Sequence, residues 1–234
     1  MAVSLTGKVA LITGVTGPVG QRIADTFAAA GASLVLFARR QSDCAALEAR
    51  NQNPSAPILT LPCDLRSEDE VVRMVHRAAT RFGKIDILVN AAAIHGPRES
   101  IEDYPIDPWR NVIATNVTGP YLVCREVLPW MTRQGSGSII NVTSSLATKA
   151  RPHWGAYLVS NHAVEGLSQL LAAELKGTGI RVNTVDVGLP QNDGSISSAE
   201  EAWTSVFLWL ASDDSTAHSK RIIAASFELP AVIS

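Results

Sequence analysis

Tyr157 and Asn161 stand four residues apart in the run Tyr157-Leu158-Val159-Ser160-Asn161. On a helix that spacing puts both side chains on one face, about one turn apart. A lysine at the second position would bring a positive charge to the phenol, whereas asparagine hydrogen-bonds and brings no charge. A second constellation lies near the start of the chain, in Thr13-Gly14-Val15-Thr16-Gly17-Pro18-Val19-Gly20. Glycines there permit a tight turn and close approach of backbone to a pyrophosphate. A helix starting just after them, with Gln21-Arg22-Ile23-Ala24, would aim free N–H groups and a positive dipole end at the same anion.

The elements that must position these residues are legible as alternating patterns. Lys8 to Thr13, Ser33 to Ala38, Ile58 to Pro62, Ile85 to Asn90, Ser138 to Val142, Arg181 to Val187 and Arg221 to Phe227 read as strands. Amphipathic stretches such as Gly20 to Ala30, Glu68 to Phe82 and Ala156 to Lys176 lie between them. Strands alternating with helices imply βαβ units and a parallel sheet covered on both faces. The strands lack strict alternation, as expected when both faces are buried. Such sheets bind ligands beyond the carboxyl ends of their strands, where the strand order switches.

The chain has 234 residues, which suits one α/β domain. Its net charge of −2 offers no polyanion-binding surface, so nucleic acid is not an expected partner. Cys44, Cys63 and Cys124 are scattered and show neither metal spacing nor a disulfide framework, which predicts reduced thiols, no metal site and a cytoplasmic location. The first apolar run, Val9-Ala10-Leu11-Ile12, is far too short to span a bilayer.

From the glycine loop onward the chain resembles the short-chain dehydrogenase/reductase family, whose loop runs Thr-Gly-x-x-x-Gly-x-Gly. The resemblance continues through Asp86-Ile87-Leu88-Val89-Asn90-Ala91-Ala92-Ala93, Asn116-Val117-Thr118-Gly119, Ile140-Asn141-Val142-Thr143-Ser144-Ser145 and Tyr157, in order along nearly the whole chain. It implies one Rossmann-type doubly wound α/β domain over residues 1–234, with a parallel seven-stranded sheet flanked by helices. It also implies a nicotinamide cofactor. Gly14, Thr16, Gly17, Val19 and Gly20 are then the cofactor contacts of the loop. Pro18 replaces the middle glycine and lacks an N–H. Proline is tolerated at the first helical position, and one lost hydrogen bond costs about 1 kcal/mol.

The family's serine precedes its tyrosine by about thirteen residues, which selects Ser144 over Ser145. By resemblance, Ser144 hydrogen-bonds the substrate carbonyl, Tyr157 is the general acid or base, and Asn116 holds a water in a proton relay. The family's lysine, which binds ribose and lowers the tyrosine pKa, is Asn161 here. Asn161 is therefore expected at both the catalytic and the ribose-binding position. A charge ~6 Å from the phenol at an effective dielectric near ~20 is worth about 3 kcal/mol, or about a hundredfold in phenolate population. Its loss should hurt alcohol oxidation most, because carbonyl reduction uses the protonated phenol. Lys149, Arg151, His153, His95 and Arg98 are read as solvated loop residues, and His162 points about 100° away from Asn161.

Where NAD-binding folds of this type place an acid at the end of the second strand, this chain has Ala38 followed by Arg39 and Arg40. A guanidinium suits a 2′-phosphate, so NADP(H) is favoured over NAD(H), with Arg39 the contact. The resemblance also assigns Asp64 to the adenine and leaves Asn90 as the polar candidate toward adenosine. After Gly188 the family carries a substrate-covering segment of several dozen residues. Here only Leu189 to Ser198 separate Gly188 from a helix over Ala199 to Ala211, so the lid is strongly shortened.

The leading expectation is an NADPH-dependent oxidoreductase that reduces a carbonyl on a small or carrier-bound substrate, working as a homodimer or homotetramer. A cofactor-binding sensor or scaffold with little redox activity stays open, as does non-redox chemistry on the same fold.

Overall fold

The structure, a computed structural model, describes residues 3–50, 57–188, 200–215 and 221–223. Seven strands are β1 (Val9–Thr13), β2 (Ser33–Ala38), β3 (Ile58–Pro62), β4 (Ile87–Asn90), β5 (Gly137–Thr143), β6 (Ile180–Asp186) and β7 (Arg221–Ile223). They form one sheet in the order β3-β2-β1-β4-β5-β6-β7, and each described pairing is parallel. The order reverses between β1 and β4, which opens the ligand crevice there. The expected doubly wound α/β fold is the one found.

The helices are α1 (Pro18–Ala29), α2 (Gln41–Arg50), α3 (Glu68–Phe82), α4 (Ile106–Ile113), α5 (Gly119–Gln134), α6 (Gly155–Glu174) and α7 (Glu200–Ala211). Successive residues of β1 explain the layering. Ala10 and Ile12 pack with Ile23 and Phe27 of α1 and Trp203 and Phe207 of α7. Val9 and Leu11 turn to the other face, with Val71 and Val75 of α3 and Val127 and Met131 of α5. Each strand thus feeds two cores, which is why its sequence is apolar without alternation.

Local chemistry sets the helix ends. Ser67 accepts the Glu70 N–H at 3.4 Å at the start of α3, three acids fill the first turn, and Gly83 closes the helix at φ 76°. Arg181 of β6 donates to the Leu210 and Ser212 carbonyls at 2.8 and 3.0 Å, satisfying backbone acceptors where α7 ends. Between α4 and α5, Ala114–Thr118 form a single π-helical turn, a feature often found at functional sites.

The predicted element ends shift by one or two residues where they differ, with α1 starting at Pro18 and β4 at Ile87. The lid region at 189–198 and the part of the predicted strand beyond Ile223 lie outside the described residues.

Candidate active site

The crevice runs along the carboxyl ends of β1, β2, β4, β5 and β6. Its floor is the β1–α1 turn. Gly14 has φ +72°, and a Cβ there would lie 2.5 Å from the Ala92 Cα; a Cβ on Gly20 would strike the Gly14 carbonyl. These two glycines let the turn press against the end of β4, where Thr13 Oγ1 accepts the Ala91 and Ala92 N–H groups at 3.2 and 3.3 Å. Gly17 differs, because a Cβ there would meet only the Gly14 oxygen at 3.4 Å. Its bareness leaves room on the crevice side rather than relieving a clash within the protein. Pro18 occupies the first turn of α1, and that turn carries no acidic side chain. An anion therefore meets a positive dipole end without repulsion. Val19 lines the same part of the crevice, while Thr16 is exposed and lies on the side toward Arg39. The loop fits a pyrophosphate.

The part of the crevice beyond β2 and β3 is a cluster of charges. Arg40 is paired with Asp43 at 3.2 Å. Arg66 grips Asp64 through Nε at 2.9 and 3.1 Å and reaches Asn111 Oδ1 at 2.7 Å. The Arg66 guanidinium holds the Asp64 carboxyl below the usual carboxylate range. Asp64 lies in the expected crevice, but much of its accepting capacity is taken by Arg66. Arg39 is exposed and makes no ion pair among the described residues. Asn90 is buried, and its amide donates to Asn141 Oδ1 at 2.8 Å, while Asn141 donates to Ser168 at 2.7 Å. That chain ties β4 to β5 and α6. Among the described residues the Asn90 Oδ1 finds no hydrogen-bond partner.

At the other end, Ser144 follows β5 and Tyr157 lies in the first turn of α6. Both are buried, at 1 % and 7 % exposure, so the phenol is nearly sealed from bulk water. Burial raises the Tyr157 pKa above its ordinary value of 10.0; hydrogen bonding from Asn161 and Ser144 opposes that rise, and nearby Asp186 adds to it. Asn116 sits on the π turn. Its amide exchanges hydrogen bonds with the Ile94 backbone, both at 2.9 Å, and donates to Ser160 Oγ at 3.1 Å. Ser160 donates to the Tyr157 carbonyl at 2.7 Å. Asn161, on the same side of α6, accepts the Ser144 N–H at 3.0 Å and donates to the Tyr157 carbonyl at 2.8 Å. The structure thus brings Ser144, Tyr157, Asn161 and Asn116 together, and Asn161 lines the crevice while its amide is engaged by the Ser144 and Tyr157 backbone.

One correction concerns the rim. His95 is not a solvated loop residue: it is half-buried, and its ring stands edge-on to Tyr157 with centroids 4.7 Å apart. Burial and the adjacent Arg98 lower its pKa below that of an ordinary imidazole. Arg98 remains exposed but lies 3.8 Å over the ring of Trp154, which packs against both His95 and Tyr157. A signal for this wall was available in Trp154, three residues before Tyr157 and so on its helical face. Ser160, also unremarked from sequence, carried no such signal. Lys149, Arg151 and His153 are exposed, and the ring of His162 turns back to the Leu158 carbonyl.

Among the described residues, no group of three or more His, Cys, Asp or Glu is placed to hold a metal ion, and no helix is long and apolar enough to cross a membrane. A family model for short chain dehydrogenase matches residues 8–201. The chain is 35% identical over 183 residues to a D-beta-hydroxybutyrate dehydrogenase of Rhizobium meliloti, covering 77% of this chain and 70% of that protein. Its fold superposes on a gluconate 5-dehydrogenase from Burkholderia cenocepacia, solved with NADP and tartrate, with a TM-score of 0.87, 25% identity and 94% of each chain covered. It also superposes on an NAD+-bound xylitol dehydrogenase with a TM-score of 0.85, 26% identity, and coverage of 95% of this chain and 99% of that one.

Proposed function

The chain belongs to the short chain dehydrogenase family of NAD(P)-dependent oxidoreductases, and on that premise we propose that it uses NADPH to reduce a carbonyl to an alcohol. The observation that carries this reading is the buried Tyr157 phenol beside Ser144, with no described cation lowering its pKa. Such a phenol stays protonated across the neutral range. It suits proton donation to a nascent alkoxide better than proton removal from an alcohol.

The bound nicotinamide would supply the hydride. The chain's own residues do the rest. The β1–α1 turn and the first turn of α1 would hold the pyrophosphate. Arg39, which makes no ion pair among the described residues, would pair with the 2′-phosphate. Ser144 Oγ hydrogen-bonds the carbonyl oxygen, and Tyr157 gives that oxygen its proton. His95 and Trp154 form an aromatic wall against which a substrate is oriented. The substrate is a small or carrier-bound carbonyl compound, and the working unit is a homodimer or homotetramer. The three buried thiols suit a reducing cytoplasm.

A second reading, a cofactor-binding protein with little turnover, is favoured by Asn161 standing where the family's lysine would supply charge. Calorimetric titration with NADPH and NADH, followed by a carbonyl screen, separates the readings. NADPH binding with turnover supports the reductase. NADPH binding without turnover supports the sensor. Binding of neither cofactor overturns both.

A further inference from the structure

We propose that Asn161 is a positioning residue: its amide brackets the Ser144 backbone to the Tyr157 backbone and takes no part in holding the cofactor ribose. The inference rests on the proposed reductase reading for its kinetic consequence, and on geometry alone for the rest.

An amide has two N–H donors and one oxygen acceptor. The Asn161 oxygen is engaged by the Ser144 N–H at 3.0 Å, and one of its donors by the Tyr157 carbonyl at 2.8 Å. The remaining N–H is the one available to the phenol. Asn161 is 5 % exposed, so swinging it toward a ribose would leave the Ser144 N–H without its partner in a buried setting. The Tyr157 carbonyl is held in turn by Ser160, and Ser160 by Asn116. The bracket therefore ends a continuous chain from the π turn through α6 to the end of β5. It fixes the separation of Ser144 and Tyr157 within the protein, whether or not a cofactor is bound. A lysine cannot replace it, because an ammonium has no acceptor for the Ser144 N–H.

The test uses the full-length protein and three readouts. For Asn161→Ala, NADPH affinity by calorimetry is expected to stay within about threefold of the parent. Its kcat for carbonyl reduction is expected to fall about tenfold with little change in KM, the size of one lost hydrogen bond. The third readout needs neither cofactor nor turnover. It follows the tyrosinate absorbance of Tyr157 with pH, assigned by difference from Tyr157→Phe. The phenol of Asn161→Ala should ionise at higher pH than the parent's, since a donor has been removed. Asp186 on β6 and His95 on the loop after β4 face this phenol in both proteins, so the difference isolates residue 161. Asn161→Lys should not exceed the parent's kcat at neutral pH.

A tenfold or greater loss of NADPH affinity in Asn161→Ala would make Asn161 a ribose ligand and overturn the proposal. Unchanged phenol ionisation and unchanged kcat would overturn it as well. If the alanine variant does not fold, Asn161→Gln keeps the groups but misplaces them, and the same three readouts apply. A parent that turns over no carbonyl defeats the reductase reading, while the absorbance titration still decides the bracket.

Discussion

Tyr104 occupies the space that a side chain at Gly155 would need. A Cβ on Gly155, whose φ is +32°, would run into the edge of the Tyr104 ring, and a Cβ on Gly96 would meet its hydroxyl. Two glycines thus clamp one tyrosine, and the clamp joins the loop after β4 to the first residue of α6. Tyr157 lies two residues further on, so the clamp sets where the phenol begins. Gly155→Ala should destabilise the fold by about 1–3 kcal/mol through overpacking and backbone strain. In a Tyr104→Ala background the same substitution should cost less, because the clash is gone. Chemical denaturation of the four proteins of this cycle measures the coupling. Equal costs in both backgrounds would show that the two residues do not clash.

Among the described residues Arg39 makes no ion pair, whereas Arg40 and Arg66 beside it are held by Asp43 and Asp64. Arg39→Ala should weaken NADPH binding by about 10–100-fold, the worth of a charge-assisted hydrogen bond, and leave NADH binding nearly unchanged. Calorimetry with both cofactors checks this. Equal losses for both would remove Arg39 from the 2′-phosphate.

Tyr157→Phe should lower kcat by about 10²–10⁴-fold with NADPH affinity retained, as expected for loss of a general acid. The pH profile follows from the raised pKa, which is caused mainly by burial. The acid form persists below that pKa, so reduction should hold steady through neutral pH and decline only beyond the ordinary phenol value of 10.0. Oxidation of the alcohol should instead rise with pH, since it draws on the phenolate. A decline in reduction between pH 7 and 9 that vanishes in no Tyr157 variant would place the controlling group elsewhere.

Cys44, Cys63 and Cys124 are 1 %, 3 % and 1 % exposed. Burial, with Glu70 and Asp64 adding, pushes the Cys63 thiol up from 9.0 to about 12. In the unfolded chain this thiol ionises first. The stability it contributes is complete below pH 9.0 and is lost as pH rises toward about 12. A thiol reagent at pH 8 should label none of the three in the native protein and all three after denaturation. Rapid labelling of the native protein would contradict this burial.

The strands and the glycine loop were legible in the sequence because short apolar runs and turn residues are local signals. β2 and β3 matched their expected bounds, and α3 matched from Glu68 to Phe82, where Ser67, three acids and Gly83 mark both ends. The choice of Ser144 and Tyr157 rested on the family resemblance, and the structure puts them at the end of β5 and in the first turn of α6. The partners of those residues were not legible. Ser144 and Asn161 are 17 residues apart, Asn116 and Ser160 are 44 apart, and each contact exists only because β5, the π turn and α6 converge.

The sequence by itself determined a doubly wound α/β chain and a glycine-rich turn between the first strand and the first helix. Only the tertiary structure decided that His95 packs on the phenol, that Asp64 is held by Arg66 and that the Asn161 amide joins the Ser144 and Tyr157 backbone. The reason is physical. Periodicity and turn chemistry act over a few residues and leave their mark on composition. The direction of a polar side chain depends instead on which buried donors and acceptors lack a partner, and only the packed chain brings those together.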